Sequence, residues 1–176
     1  MLQIKKLSED EKEIEFLKDL YEQSFPIEER RDFAKLKDIY QNDLLELNLI
    51  KLNNQSVGLL NYWHFNTILY IEHLAVSPQY RNQNIASTIL AQLNEKYPLI
   101  ILEVELPTDE ISHRRIRFYQ RNGFSIQPYK YFQPAYRKGE KELEMHIMSN
   151  AKNTIKEHEY QEIIQVIRKK VYEKFW

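Results

Sequence analysis

From Leu69 to Gly123 the chain alternates between the period of a strand and the period of a helix, and this constrains the fold more than any other feature. LYIEHLAV (69–76) and LIILEVEL (99–106) are short apolar runs of strand length. IASTILAQLNEKY (85–97) and SHRRIRFYQRN (112–122) have helical spacing, and Gly123 closes the second of them. The loop SPQYRNQN (77–84) joins the first strand to the first helix. Strands alternating with helices in this way predict an α/β (α+β) arrangement.

The flanking segments extend the pattern. Gln3–Leu7 reads as an edge strand, and Ser8 with Glu11 matches a capping box that opens a helix. Ile14, Leu17, Leu20 and Tyr21 form that helix's apolar stripe, and Pro26 stops it. A second helix from about Glu28 to Tyr40 turns Phe33, Leu36 and Tyr40 inward, with Glu29, Arg30 and Arg31 as a charged face. Leu45, Leu47 and Leu49, the turn residues Asn53-Asn54, and Val57–Phe65 predict a hairpin. Gln127–Tyr136 is a Tyr- and Pro-rich loop or edge strand, and Leu143–Met148 is a strand. A last helix has Tyr160, Ile163, Ile164, Ile167, Val171 and Phe175 on one face, with Arg168, Lys169, Lys170 and Lys174 at its negative end.

The totals narrow the function. A chain of 176 residues makes one core, and no Ser/Gly linker marks a boundary. Lys and Arg (25) nearly balance Asp and Glu (26), so no strong field gathers nucleic acid. The sequence has no Cys, which fits a reducing compartment, and the cytoplasm is the simplest address. Met1–Leu7 lacks the apolar core of a signal peptide, and no apolar run reaches membrane-spanning length. His64, His73, His113, His146 and His158 lack metal-ligand spacing, so no metal is expected.

The loop before the 85–97 helix is the first functional signal. A helix start has unpaired amides and partial positive charge, which suits pyrophosphate. Ala86 and Ser87 allow close approach to that backbone, and Ser87 adds a hydroxyl donor. Leu74-Ala75-Val76 followed by Arg81-Asn82-Gln83-Asn84-Ile85-Ala86 resembles the coenzyme A motif of the GNAT superfamily, the Gcn5-related N-acetyltransferases. Asn84 stands where the family has glycine; Asn is the non-glycine residue most tolerant of positive φ. Ile116 to Phe124, with Phe118-Tyr119 and Gly123-Phe124, is similar to the family's F-Y-x-x-x-G-F helix end. Gln133-Pro134-Ala135-Tyr136-Arg137 further resembles a poorly characterised bacterial branch.

The resemblance implies a GNAT-type fold over residues 1–150: a mixed, largely antiparallel sheet flanked by helices. The helix in 151–176 is an addition packed on the same domain. It implies that the strands holding Leu74 and Val104 splay to admit a pantetheine arm, which pairs with the main chain of Leu74 and Val76. The amides of Arg81 to Ala86 then hold the pyrophosphate, and Arg81 reaches a phosphate. The implied partners are acetyl-CoA and an unknown amine, in a monomer or homodimer. The alternative is a coenzyme A binder without catalysis.

Acetylation of an amine needs a base, because an amine of pKa ~10.4 is mostly protonated at neutral pH. Glu103 in Leu-Glu-Val is favoured, with Glu72 and Glu105 as contenders and His73 read as structural, facing away from Glu72. Tyr119 matches the family tyrosine that protonates the departing thiolate; plain core packing is the competing reading. Arg114, Arg115 and Arg117 read as a solvated face, and Tyr129, Tyr131, Phe132 and Tyr136 as either an acceptor wall or edge packing.

Overall fold

The computed structural model describes residues 1–42 and 44–175. Among these, one eight-stranded sheet begins with β1 (Leu2–Lys6), β2 (Leu45–Leu52), β3 (Gln55–Phe65) and β4 (Ile68–Val76) side by side. It continues through β5 (Leu99–Glu105) to β8 (Leu143–Ser149), which pairs with both β6 (Ser125–Ile126) and β7 (Tyr131–Gln133). Only β4 and β5 run parallel; the other pairs are antiparallel. The helices are α1 (Glu11–Ser24), α2 (Phe33–Asn42), α3 (Ile85–Lys96), α4 (Glu110–Arg121) and α5 (Glu157–Ile167). This is the mixed, largely antiparallel sheet flanked by helices that the sequence predicts.

Local chemistry explains where the elements begin. Asn53 and Asn54 take φ of 50° and 69°, as the β2–β3 turn demands. The first helix opens later than its predicted box. Asp10 is the cap and accepts the Lys12 amide at 2.8 Å, while the Ser8 hydroxyl donates to Glu13 at 2.7 Å. The second helix is shorter than predicted, because Ile27–Glu29 is a single 3-10 turn and Arg30 is extended at φ −147°.

The sheet separates two apolar layers. On one face Leu17 and Tyr21 of α1, Leu36 of α2, and Tyr160, Ile163 and Ile167 of α5 pack on Leu47, Leu59, Trp63, Tyr70 and Ile101. On the other, Ile89 and Leu93 of α3 and Ile116 and Tyr119 of α4 cover Leu69, Ile71, Ile100, Leu102 and Val104. Each such aliphatic side chain contributes about 1.5–3 kcal/mol when fully buried. After Ile167 the helix widens into a π turn, Arg168–Tyr172, before a 3-10 turn at Glu173–Phe175. The wider turn shifts the buried face so that Val171 and Tyr172 are both fully buried.

Two strand irregularities create the site. β4 and β5 pair only from Ile68 with Leu99 to Ile71 with Leu102. Beyond that point β4 stays on β3 to Val76, while β5 stays on β8 as far as Glu105. At the divergence Tyr62 opposes Ile71 and Asn61 opposes His73, so Glu72 is an extra residue in β4. The edge of β4 past Ile71 therefore faces the gap left by β5.

Candidate active site

A cleft of about 670 Å³ opens where β4 and β5 part, between the start of α3, the length of α4 and the turn at Phe25–Glu29. Its first wall is mostly backbone. Leu74, Ala75 and Val76 of β4, then Arg81, Asn82 and Ala86, line it. Asn82 and Asn84 hold φ of 61° and 57°, so Asn84 adopts the left-handed geometry that glycine would otherwise supply. The Asn84 carbonyl accepts the Thr88 amide at 2.9 Å and begins α3, leaving the preceding amides without helical partners. Arg81 folds back, its Nε donating to the Val76 carbonyl at 3.2 Å. The exposed Gln83 side chain donates to the Gln79 carbonyl at 3.3 Å, Ile85, the first residue of α3, is buried, and Ser87 is half-buried.

Gly58, which the sequence reading passed over, shapes this wall from behind. A Cβ there would sit 2.6 Å from the Ala75 carbonyl oxygen, so glycine lets β3 approach the stretch of β4 that borders the cleft.

The second wall is made of side chains. Glu103 lines the cleft and is held by three donors: the Tyr131 hydroxyl on Oε1, and the Gln133 amide and Tyr172 hydroxyl on Oε2, the last at 2.8 Å. Burial pushes its carboxyl above the ordinary range, and these hydrogen bonds pull part of the way back. Glu105 pairs with Arg115 at the rim. Across from them Glu29 is raised by burial first and by Glu105 second.

Glu72 has other employment. Its carboxylate is fully buried, accepts the Trp63 indole N–H at 2.6 Å, and lies 3.3 Å from the Arg31 guanidinium, itself buried. Arg31 also donates to the Val171 carbonyl and stacks on Tyr136, 4.6 Å from the ring centre. The charged helix face expected at 29–31 is thus corrected: the 3-10 turn and extended Arg30 carry Arg31 inward. A second correction concerns His73. Because Glu72 is the bulged residue, His73 falls on the same side of the sheet, against Tyr21 at 4.9 Å and Phe25 at 4.4 Å. Its Nε2 meets the Glu29 carbonyl at 3.1 Å, and burial lowers its pKa.

Helix α4 forms the floor. Asp109 and Ser112 cap it reciprocally, fixing where its cleft-facing residues emerge. Tyr119 is buried beside Phe118 and Phe124, at 5.2 and 5.9 Å between ring centres, and lines the cleft. Its phenol is pushed up to about 12, chiefly by burial; Arg115 opposes the shift and Glu105 adds to it. Arg114, Arg115 and Arg117 border the cleft, where the sequence suggested a solvated face.

A solved structure from Bacteroides thetaiotaomicron, a GNAT-family protein, shares 33% of its residues with this chain. The match covers 97% of this chain and 98% of that one, with a TM-score of 0.88. This chain belongs to the GNAT acetyltransferase family. The family's acetyltransferase (GNAT) domain model matches residues 45–126. YjbC of Bacillus subtilis, named as a candidate acetyltransferase, is 32% identical over 110 residues, which is 57% of this chain but only 52% of YjbC. The GNAT fold is also shared with Arabidopsis thaliana Naa50, solved with the bisubstrate analogue CoA-Ac-MVNAL. That match has a TM-score of 0.59 and 21% identity, over 84% of this chain and 97% of Naa50.

Within this GNAT chain the predicted residues fall into two groups. Leu74–Val76, Arg81, Asn82, Ala86, Glu103 and Tyr119 meet at one cleft; Glu72 also borders it, but its carboxylate is buried in an ion pair with Arg31. The aromatic set divides: Tyr131 and Tyr136 are buried at the site, Tyr129 donates to the Ile155 carbonyl at 2.9 Å, and Phe132 is exposed. Tyr70 and Tyr172 were missed. Tyr70 sat in an apolar strand run and Tyr172 beside the helical stripe position Val171, and no local motif links either of them to Glu103. No helix among the described residues is long and apolar enough to cross a membrane.

Proposed function

We propose that this chain is an N-acetyltransferase that transfers the acetyl group of acetyl-CoA to a primary amine. The observation that carries this reading is the parting of β4 from β5, which leaves an open strand edge leading from the α3 start to Glu103 and Tyr119. Those features fit coenzyme A. The edge of β4 offers main-chain groups to pantetheine, and the loop with Asn82 and Asn84 at positive φ turns amides toward a pyrophosphate. Arg81, Arg114 and Arg117 at the cleft add positive charge for phosphate. When bound, acetyl-CoA supplies an acetyl group activated as a thioester.

The chain's own residues then divide the proton work. Glu103, ionised, takes a proton from the amine directly or through water, freeing the nitrogen lone pair for attack on the acetyl carbon. Its raised pKa makes it a stronger base than an exposed carboxylate. Tyr119 gives its hydroxyl proton to the sulfur as the carbon–sulfur bond breaks, and buried beside Arg115 it regains one from solvent. The amide, free coenzyme A thiol and one proton per ammonium consumed complete the balance.

The reading as an inactive binder drew on Asn84 in place of glycine and on the unassigned base, and the left-handed geometry of Asn84 removes the first of these supports. The test is calorimetry with acetyl-CoA, followed by thiol release with spermidine, an aminoglycoside and peptides bearing free N-termini. Saturable binding with amine-dependent thiol release is expected. Absence of acetyl-CoA binding would overturn the proposal.

A further inference from the structure

We propose that Tyr172, delivered by the π turn after α5, is a positioning residue for Glu103, which makes the terminal helix part of the active site. This rests on the reading of Glu103 as the base. The residue lies 46 positions beyond the end of the matched GNAT domain model at 126.

The geometry is a shared hydrogen-bond network. Tyr172 has one hydroxyl proton, and it goes to Glu103 Oε2 at 2.8 Å. The Tyr70 hydroxyl lies 3.0 Å from the Tyr172 hydroxyl and is also a hydrogen-bond partner of Glu103, so its one proton goes either to Tyr172 or to the carboxylate. With Tyr131 on Oε1 and Gln133 on Oε2, Tyr172 is one of the donors that fix the plane of the carboxylate.

The π turn is what makes this possible. Val171 and Tyr172 are adjacent and both fully buried, and the Val171 carbonyl accepts from Arg31. The Arg31–Glu72 pair, anchored by Trp63, therefore clamps the turn that presents Tyr172. Wide single turns of this kind recur at functional sites.

The groups facing Glu103 come from every packed element: Tyr70 on β4, Tyr131 on β7, Tyr136 beyond it, Tyr160 on α5 and Tyr172. Burial first, and the Glu103 charge with it, raise all five phenols above the ordinary tyrosine value, so at neutral pH they serve as donors rather than bases. On its own strand Glu105 is paired with Arg115. The other charges nearby, Arg31 and Glu72, neutralise each other.

A hydrogen bond to the ionised form lowers a carboxyl pKa, so losing one raises it. The experiment follows the Glu103 carboxyl carbon by NMR in full-length protein labelled with carboxyl-13C glutamate, the Glu103 signal being identified by its loss in Glu103→Gln. Tyr172→Phe keeps the ring and should raise the Glu103 pKa by about one to two units. The acid limb of kcat/KM, measured with whichever of spermidine, the aminoglycoside or the peptides turns over fastest, should move up by the same amount, with KM for acetyl-CoA unchanged. Tyr70→Phe, which removes the neighbouring hydroxyl, should shift both in the same direction and serves if Tyr172→Phe does not fold. A packing role for Tyr172 predicts no change in the Glu103 titration, and that result overturns the inference while leaving Glu103 as base. A raised Glu103 pKa with an unmoved acid limb overturns Glu103 as the base, and the positioning role with it.

Discussion

The two walls of the cleft are built by opposite means. The side proposed for coenzyme A is local and made of backbone: a strand edge, a loop and a helix start contiguous from Leu74 to Ser87. The Glu103 side is made of side chains from β4, β5, β7 and the turn after α5, separated by as many as 102 positions between Tyr70 and Tyr172. A backbone site tolerates changes of side chain provided φ is kept, as Asn84 at φ 57° illustrates. A side-chain network does not, because each buried donor or acceptor left unpaired costs about 1–3 kcal/mol.

That contrast can be broken at both walls. The largest effect is expected from Tyr119→Phe, which keeps the packing against Phe118 and Phe124 but removes the proposed acid. Turnover should fall roughly 10² to 10⁴-fold with stability and acetyl-CoA affinity nearly unchanged. Loss of stability with full turnover would return Tyr119 to the core. Next is Glu72→Gln, which leaves Arg31 buried without its counter-charge. Urea unfolding should show a loss of about 3–5 kcal/mol. A variant as stable as wild type would mean that the ion pair does not clamp the side-chain wall.

On the backbone wall, Asn84→Val forces a β-branched residue into left-handed geometry at a cost of order 1–3 kcal/mol. Calorimetry should find acetyl-CoA bound roughly 5- to 100-fold more weakly, whereas Asn84→Gly should match or exceed wild type. Equal affinities for Val and Gly would show that the loop's φ is irrelevant to binding.

The same contrast explains what could be read in advance. The fold follows from local signals: alternating periods from Leu69 to Gly123, Asn53-Asn54 at the turn, and Pro26 ending α1. The proposed coenzyme A wall is equally local, so the strand, loop and helix start could be read from spacing, and the resemblance to the GNAT motif then picked out Leu74–Val76 and the loop. Glu103 and Tyr119 were nameable only by resemblance. Their surroundings were hidden because a β-bulge at Glu72 and a π turn at Arg168–Tyr172 each shift side-chain direction by one residue. The first put His73 on the side of Glu72, and the second buried Tyr172 where helical spacing had counted Val171 and Phe175. Arg31 escaped for a related reason, since a charged residue after a predicted helix start gives no sign that a buried carboxylate awaits it.

The central claim is that Glu103 is the base, and the pH dependence of Glu103→Gln tests it most directly. Wild-type kcat/KM should fall as the pH drops through the raised Glu103 pKa, because the base must be ionised. Without the carboxylate, attack depends on free amine, whose fraction grows tenfold per pH unit up to a pKa of ~10.4. The ratio of wild type to Glu103→Gln should therefore be greatest at and below the Glu103 pKa and shrink above it toward alkaline pH, with acetyl-CoA affinity unchanged. A constant ratio across the whole pH range, or full activity in Glu103→Gln, would contradict the account.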